Sequence, residues 1–206
     1  MTTKSVQRAQ IDAALLQARE SLDLLMNNEQ ALARIEQAAA LLIRTFESGG
    51  RVFSCGNGGS MSDAIHFAEE LTGRFRGNRK GLPALAISDV GHISCVANDF
   101  GYEQVFSRYL QSHGRAGDCL LAISTSGKSA NVVNAAVVAK ELGMTVLALT
   151  GRDKSQLDVL ADVGVVTVAG EIADRVQELH IQVIHILIEL VERRLFPESY
   201  PEASSQ

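Results

Sequence analysis

Residues 51–74 constrain this chain more than any other stretch. Arg51-Val52-Phe53-Ser54-Cys55 reads as a buried strand, Gly56-Asn57-Gly58-Gly59-Ser60 as a turn, and the segment behind it, bearing His66, Glu69, Glu70 and Arg74, as a helix. Strand, glycine turn and helix in that order put a helix N-terminus and unpaired backbone N–H groups at the carboxyl edge of a sheet, where open α/β folds bind anions. The turn is not a dinucleotide fingerprint, because G-x-G-x-x-G begun at Gly56 would need glycine where Met61 stands. Alone, it fits a phosphate site and a plain tight connection equally well. On the helix, His66 and Glu70 stand one turn apart on one face, a spacing that suits both an ordinary surface pair and two side chains converging on one ion.

The rest of the chain repeats the alternation. Strands are expected over 84–87, 119–123, 144–149 and 163–168, and helices over 92–98, 102–113, 130–142, 155–161 and 172–195. Apolar strands alternating with helices mean a parallel sheet covered on both faces, an α/β three-layer αβα sandwich. Ahead of it, helices over 6–26 and 29–48 carry Ile11, Leu15, Ala18, Leu22 and Leu25, then Leu32, Ile35, Ala39, Leu42 and Phe46, at heptad-like spacings. Such stripes require a partner: their own sheet, or a helix bundle between subunits, which the seam-like spacing favours. The expected division is one domain over 1–206, with a helical segment 1–48, an α/β core 49–196 and a tail 197–206.

Composition narrows the function. With 206 residues, 46% of them hydrophobic, the chain holds one sizeable core and has no room for a second full domain. A net charge of −5 without a basic block argues against nucleic acid or an anionic membrane as the main partner. Cys55, Cys95 and Cys119 are odd in number, lack C-x-x-C spacing and lie among apolar residues, as expected of reduced, buried thiols in a cytoplasmic protein. The first helix is amphipathic rather than apolar, so no signal peptide is expected, and the apolar run 181–191 is broken by Gln182, His185 and Glu189.

Two further constellations carry chemistry. Ser124, Thr125, Ser126 and Ser129 crowd hydroxyls between a strand and a helix start; one hydroxyl suffices for a cap, so an anion site is the better reading. Gly127-Lys128-Ser129 imitates the end of a P-loop, but that motif requires glycine where Ala122 stands. On the last helix, at about 100° per residue, Asp174 and His185 fall within about 20° of each other with Gln177 about 60° aside, while His180 lies about 140° from His185. The two histidines therefore cannot point into one site, and His185 taken by itself, a lone histidine on an apolar helix, reads as an ordinary core residue.

Together, Ser54-Cys55-Gly56-Asn57-Gly58-Gly59-Ser60, the run His66-Phe67-Ala68-Glu69-Glu70-Leu71-Thr72-Gly73-Arg74, the run Ala97-Asn98-Asp99-Phe100-Gly101, the loop 124–129, and Ala173-Asp174-Arg175-Val176-Gln177-Glu178 followed by His185 resemble the phosphoheptose isomerases. These are the sedoheptulose 7-phosphate isomerases of the sugar isomerase (SIS) family, and the resemblance runs from about residue 30 to 196. It implies a five-stranded parallel sheet of flavodoxin-like topology, with N-terminal helices serving oligomerisation. It also implies a cytoplasmic homotetramer with sites near subunit interfaces, one Zn2+ per subunit, and a sugar phosphate as substrate. The implied activity is an aldose–ketose isomerisation of sedoheptulose 7-phosphate to D-glycero-D-manno-heptose 7-phosphate, the first step toward ADP-heptose and lipopolysaccharide core. Carried over by residue, it implies His66, Glu70, Gln177 and His185 as zinc ligands, and Glu70 and His185 as the catalytic pair. Implied substrate contacts are Asn57, Gly58, Gly59, Ser60, Glu70, Arg74, Asn98, Asp99, Ser124, Thr125, Ser126, Ser129, Asp174 and Gln177. Lys128 departs from the family's usual Asn, and 152–155 lack its paired glycines.

The implied reaction shifts a proton between neighbouring carbons through an enediol, for which a carboxylate and an imidazole are suited and a metal stabilises the developing charge. Two rivals share the fold. One is a non-catalytic relative that binds the replication initiator and looks to lack counterparts of Glu70 and His185. The other acts on a different sugar phosphate; known arabinose phosphate isomerases commonly add regulatory domains that this length excludes.

Overall fold

The computed structural model describes residues 5–170 and 172–200. Two helices lead, α1 (Val6–Met26) and α2 (Glu29–Glu47), begun by side-chain caps: the Arg8 amide donates to Ser5, and that of Ala31 to Asn28. Then follow β1 (Val52–Cys55), α3 (Gly59–Thr72), β2 (Ala84–Ala86), α4 (Val90–Phe100), a 3-10 turn (Tyr102–Gln104) and α5 (Val105–His113). The chain continues through β3 (Cys119–Ser124), α6 (Ala130–Glu141), β4 (Thr145–Thr150), α7 (Gln156–Leu160), β5 (Val163–Val166), α8 (Ala173–Leu195) and a 3-10 turn (Pro197–Ser199).

The five strands are parallel in the order β2-β1-β3-β4-β5. Val52 pairs with Ala84 on one side and Cys119 on the other, so strand addition reverses direction between β1 and β3. An open parallel sheet has its ligand crevice outside the carboxyl ends of such a pair. Successive β3 side chains go to opposite layers. Cys119, Leu121 and Ile123 pack with Leu42 of α2, Phe67 of α3 and Ile184 of α8; Leu120 and Ala122 pack with Val96, Phe106, Val132 and Leu157 of α4 to α7. The expected three-layer sandwich is present. At the amino ends of β1 and β3, the buried Asp118 carboxylate accepts from the Arg51 amide at 2.9 Å and from Arg51 Nη2 at 2.7 Å, which leaves the carboxyl ends for chemistry.

Several expectations change. Helix α3 ends at Thr72 with Gly73 as its cap, so Arg74 lies in the following loop rather than on the helix. Asp99 and Phe100 belong to α4, which runs on until Gly101 adopts a φ of 90°. Cys95 is exposed beside Asp99, since α4 turns Val96 and not its neighbour onto the sheet; Cys55 and Cys119 are buried as expected. The segment after 196 is more than a tail, because the Tyr200 hydroxyl donates to Glu192 Oε2 at 2.6 Å; residues 201–206 lie outside the described ones. In α2, Ile35, Ala39 and Leu42 are buried, whereas in α1 only Leu25 of the stripe is, with Ile11 and Leu15 55% and 66% exposed. Among the described residues, no helix is long and apolar enough to cross a membrane.

Candidate active site

The crevice is built first by the turn after β1. Gly58 takes a φ of 54°, which a side chain would strain, and α3 starts without a side-chain cap. At Gly59 an added Cβ would lie 2.6 Å from Gln177 Oε1, so the missing side chain is what lets α8 lay this carboxamide on the start of α3. The Asn57 side chain exchanges hydrogen bonds with buried Asn131 of α6, Nδ2 donating at 2.9 Å and Oδ1 accepting at 2.8 Å. Tyr102 Oη donates to the same Oδ1 at 3.1 Å. Asn57 therefore ties the β1 turn to α6 and to the turn after α4. Sequence reasoning missed Asn131 and Tyr102; a buried polar residue in the first turn of an apolar helix was the available signal.

The hydroxyl loop follows β3. Ser129 is the N-cap residue of α6 but makes no capping bond; its Oγ lies 3.0 Å from Ser124 Oγ, which is 3.5 Å from Ser126 Oγ. The hydroxyls are thus grouped together at a helix start instead of being used to cap it, the arrangement suited to an anion. Lys128 is exposed, and only its amide joins the group, donating to Ser126 Oγ at 3.2 Å.

From α3 and α8 come the titratable groups. His66 Nε2 and His185 Nε2 are 2.9 Å apart, and Glu70 Oε1 lies 3.6 Å from His66 Nε2. Only one of two facing imidazole nitrogens can carry the proton, so the pair is one donor and one acceptor, or two lone pairs turned on a cation. Glu69, exposed, places Oε1 3.6 Å from the other ring nitrogen of His66, and the ligand atoms of His66, Glu69 and Glu70 all lie within 4.8 Å of one another. Two imidazoles and a carboxylate are ligand types that suit zinc. Partial burial, helped by the charges of His66 and Arg76, holds His185 below its ordinary value, and Glu70 opposes this. Burial pushes Asp63, one turn before His66, up to about 6 against the attraction of His66. His180 is fully buried in the core, on a different face of α8 from His185 as the angular count requires.

Comparison with known proteins agrees with this geometry. Residues 17–151 match the SIS domain family. The phosphoheptose isomerase of Histophilus somni is 56% identical over 183 residues, 89% of this chain and 94% of that protein. That of Klebsiella pneumoniae subsp. pneumoniae is 56% identical over 181 residues, covering 88% and 94%. The chain belongs to the phosphoheptose isomerase family of SIS-domain proteins. A solved phosphoheptose isomerase from Francisella tularensis superposes with a TM-score of 0.85 at 31% identity, covering 92% of this chain and all of that one. One from Neisseria gonorrhoeae gives 0.77 at 36%, covering 89% and 95%.

Not every residue that the phosphoheptose isomerase pattern singles out joins one cluster here. His66 and Glu70 meet His185, Gln177 lies against Gly59 at the start of α3, and the two loops follow the carboxyl ends of β1 and β3. Arg74 is exposed and makes no hydrogen bond or ion pair among the described residues. Asp174 is exposed, its Oδ1 accepting from the Arg175 amide at 2.7 Å. Asn98 and Asp99 are also exposed, bonded to each other at 2.7 Å, and Tyr102 links their segment to the crevice. Two surface grooves, one between α2, α7 and β5 and one beneath α1, contain none of the expected site residues.

Proposed function

We propose that this chain isomerises sedoheptulose 7-phosphate to D-glycero-D-manno-heptose 7-phosphate through an enediol, the first step toward ADP-heptose and lipopolysaccharide core. The observation carrying this reading is the meeting of His66 and Glu70 with His185, together with a group of hydroxyls at a helix start that bond one another instead of capping the helix. Ser124, Thr125, Ser126 and Ser129 hold the phosphate. Asn57, Gly58, Gly59 and Ser60 line the sugar's path, with Asn98, Asp99, Arg74 and Asp174 at its open side.

Glu70 and His185 share the two proton transfers, with Glu70 as the base that removes the proton beside the carbonyl. Lowered below its ordinary value, His185 is neutral at pH 7 and ready to exchange a proton with the neighbouring carbon or oxygen. His66, Glu70, Gln177 and His185 would hold one Zn2+, whose presence stabilises negative charge developing on the substrate oxygens. The uncovered apolar face of α1 supports assembly through the N-terminal helices into a homotetramer, and the reduced thiols support a cytoplasmic setting. Incubation with sedoheptulose 7-phosphate, followed by NMR, is expected to reveal an aldose 7-phosphate. Conversion of other sugar phosphates but not this one would overturn the choice of substrate.

A further inference from the structure

A charge pair is buried between the carboxyl-terminal ends of α3 and α8. The side chains of Arg79 and Glu192 are both 0% exposed and meet at 2.6 Å. Arg79 sits in the loop between α3 and β2, and its other N–H groups donate to main-chain carbonyls. Nη2 reaches Glu70 O at 2.8 Å, and Nη1 reaches Leu71 O at 2.7 Å and Gly73 O at 3.0 Å. The carbonyls of Glu70 and Leu71 belong to the last turn of α3, where the helix supplies no amides and a cation suits the dipole. The second oxygen of Glu192 accepts from Tyr200 Oη at 2.6 Å. Beside this, Arg76 pairs with Glu189 at 2.7 Å, and a Cβ on Gly77 would lie 2.6 Å from Ser199 Cβ, so the turn after α8 closes onto the loop after α3.

A buried ion pair is a poor source of stability, because desolvation offsets most of its Coulomb gain. What it fixes is geometry. Arg79 grips α3 at Glu70 itself, and Glu192 stands about two turns beyond His185 on the same face of α8. One guanidinium thereby sets the relation between the helix bearing His66 and Glu70 and the helix bearing Gln177 and His185.

We propose that Arg79, with Glu192 and Tyr200, is a positioning clasp for the isomerase site, holding the Glu70 backbone in register with His185 without touching substrate. The inference rests on the reading of Glu70 and His185 as the proton-transferring pair. In the full-length protein, Arg79→Met/Glu192→Leu removes both charges without leaving either buried alone. It is expected to fold, to lose about tenfold to a hundredfold in kcat with KM changed less than about threefold, and to show faster amide exchange over 69–80. Tyr200→Phe deletes one hydroxyl and is expected to lose about threefold in kcat and to show faster exchange over the same segment.

Wild-type kcat in a folded double variant, or a loss confined to KM, overturns the proposal. If the double variant does not fold, Tyr200→Phe decides: unchanged kcat together with unchanged exchange overturns it. If the wild-type protein isomerises no sugar phosphate, the reading of the site has failed on its own. The clasp is then judged by exchange alone, and unchanged protection over 69–80 in Tyr200→Phe overturns it.

Discussion

His66 and His185, 119 positions apart in the chain, face each other through Nε2 atoms 2.9 Å apart. The first comes from the helix after β1 and the second from the helix after β5, so the contact exists only when both helices pack on the same face of the sheet. Two nitrogens this close, with the Glu70 carboxylate behind them, are a ready pair of metal ligands. Chelation is therefore expected to abolish isomerase activity and to lower Tm, since a ligand bound to the folded state stabilises it by mass action. Zinc should restore both. His66→Ala should reduce bound zinc, measured by elemental analysis, to background; retention of the wild-type zinc content in that variant would remove His66 from the ligand set.

Glu70→Gln keeps the shape of a half-buried side chain and removes its basicity. His185→Ala removes an imidazole that packs against Phe75 at a ring separation of 5.6 Å. Each is expected to lower kcat by about a thousandfold or more, the scale of a lost acid/base group. Circular dichroism and the unfolding midpoint should stay close to wild type, because neither residue is in the closed core. A rate near wild type in either variant would show that the proton transfers run through other groups.

Much of this site was legible because it depends on local periodicity. The strand, glycine turn and helix of 51–74 placed the crevice, a turn-apart spacing paired His66 with Glu70, and an angular count put Gln177 and His185 on one face and His180 on another. Periodicity says nothing about which distant residues meet. It gave no warning that Asn57 would be held by Asn131 and Tyr102, or that Arg79 would be buried against Glu192, 113 positions away. It also failed at boundaries. Helical spacing carried α3 through to Arg74, whereas Gly73 caps it, and the heptad-like stripe of α1 showed that a face exists without showing what covers it.

Gly59 offers a test of the α3–α8 junction that spares the core. An alanine Cβ there would press on the carboxamide of Gln177, the movable end of a flexible side chain, so the backbone need not shift. Gly59→Ala is expected to fold with Tm within a few degrees of wild type, consistent with the small helix-propensity difference of about 1 kcal/mol, which favours alanine. The displaced carboxamide should cost activity and weaken zinc binding by about tenfold or more, the scale seen when a metal site's supporting contacts are lost. Unchanged zinc affinity in this variant would place Gln177 outside the site.

His180 gives the fold a pH dependence separate from catalysis. The ring is fully buried, neither nitrogen has a hydrogen-bond partner of normal geometry, and burial pushes it down to about 4, with the Thr150 backbone opposing weakly. Its folded value lies below the ordinary 6.5, so between the two the unfolded chain binds the extra proton. The stability tied to this group is fully present above pH 6.5 and drains as pH falls toward 4, to a total of about 3 kcal/mol. Urea unfolding is expected to show about 2 kcal/mol less stability at pH 5 than at pH 7 from this group alone. His180→Leu should flatten that part of the slope while leaving stability at pH 7 unchanged or higher, because two unpaired nitrogens leave the core. Equal slopes in the wild type and the variant would mean that the folded protein takes up the proton at this imidazole as readily as the unfolded chain does, so that burial does not hold it neutral.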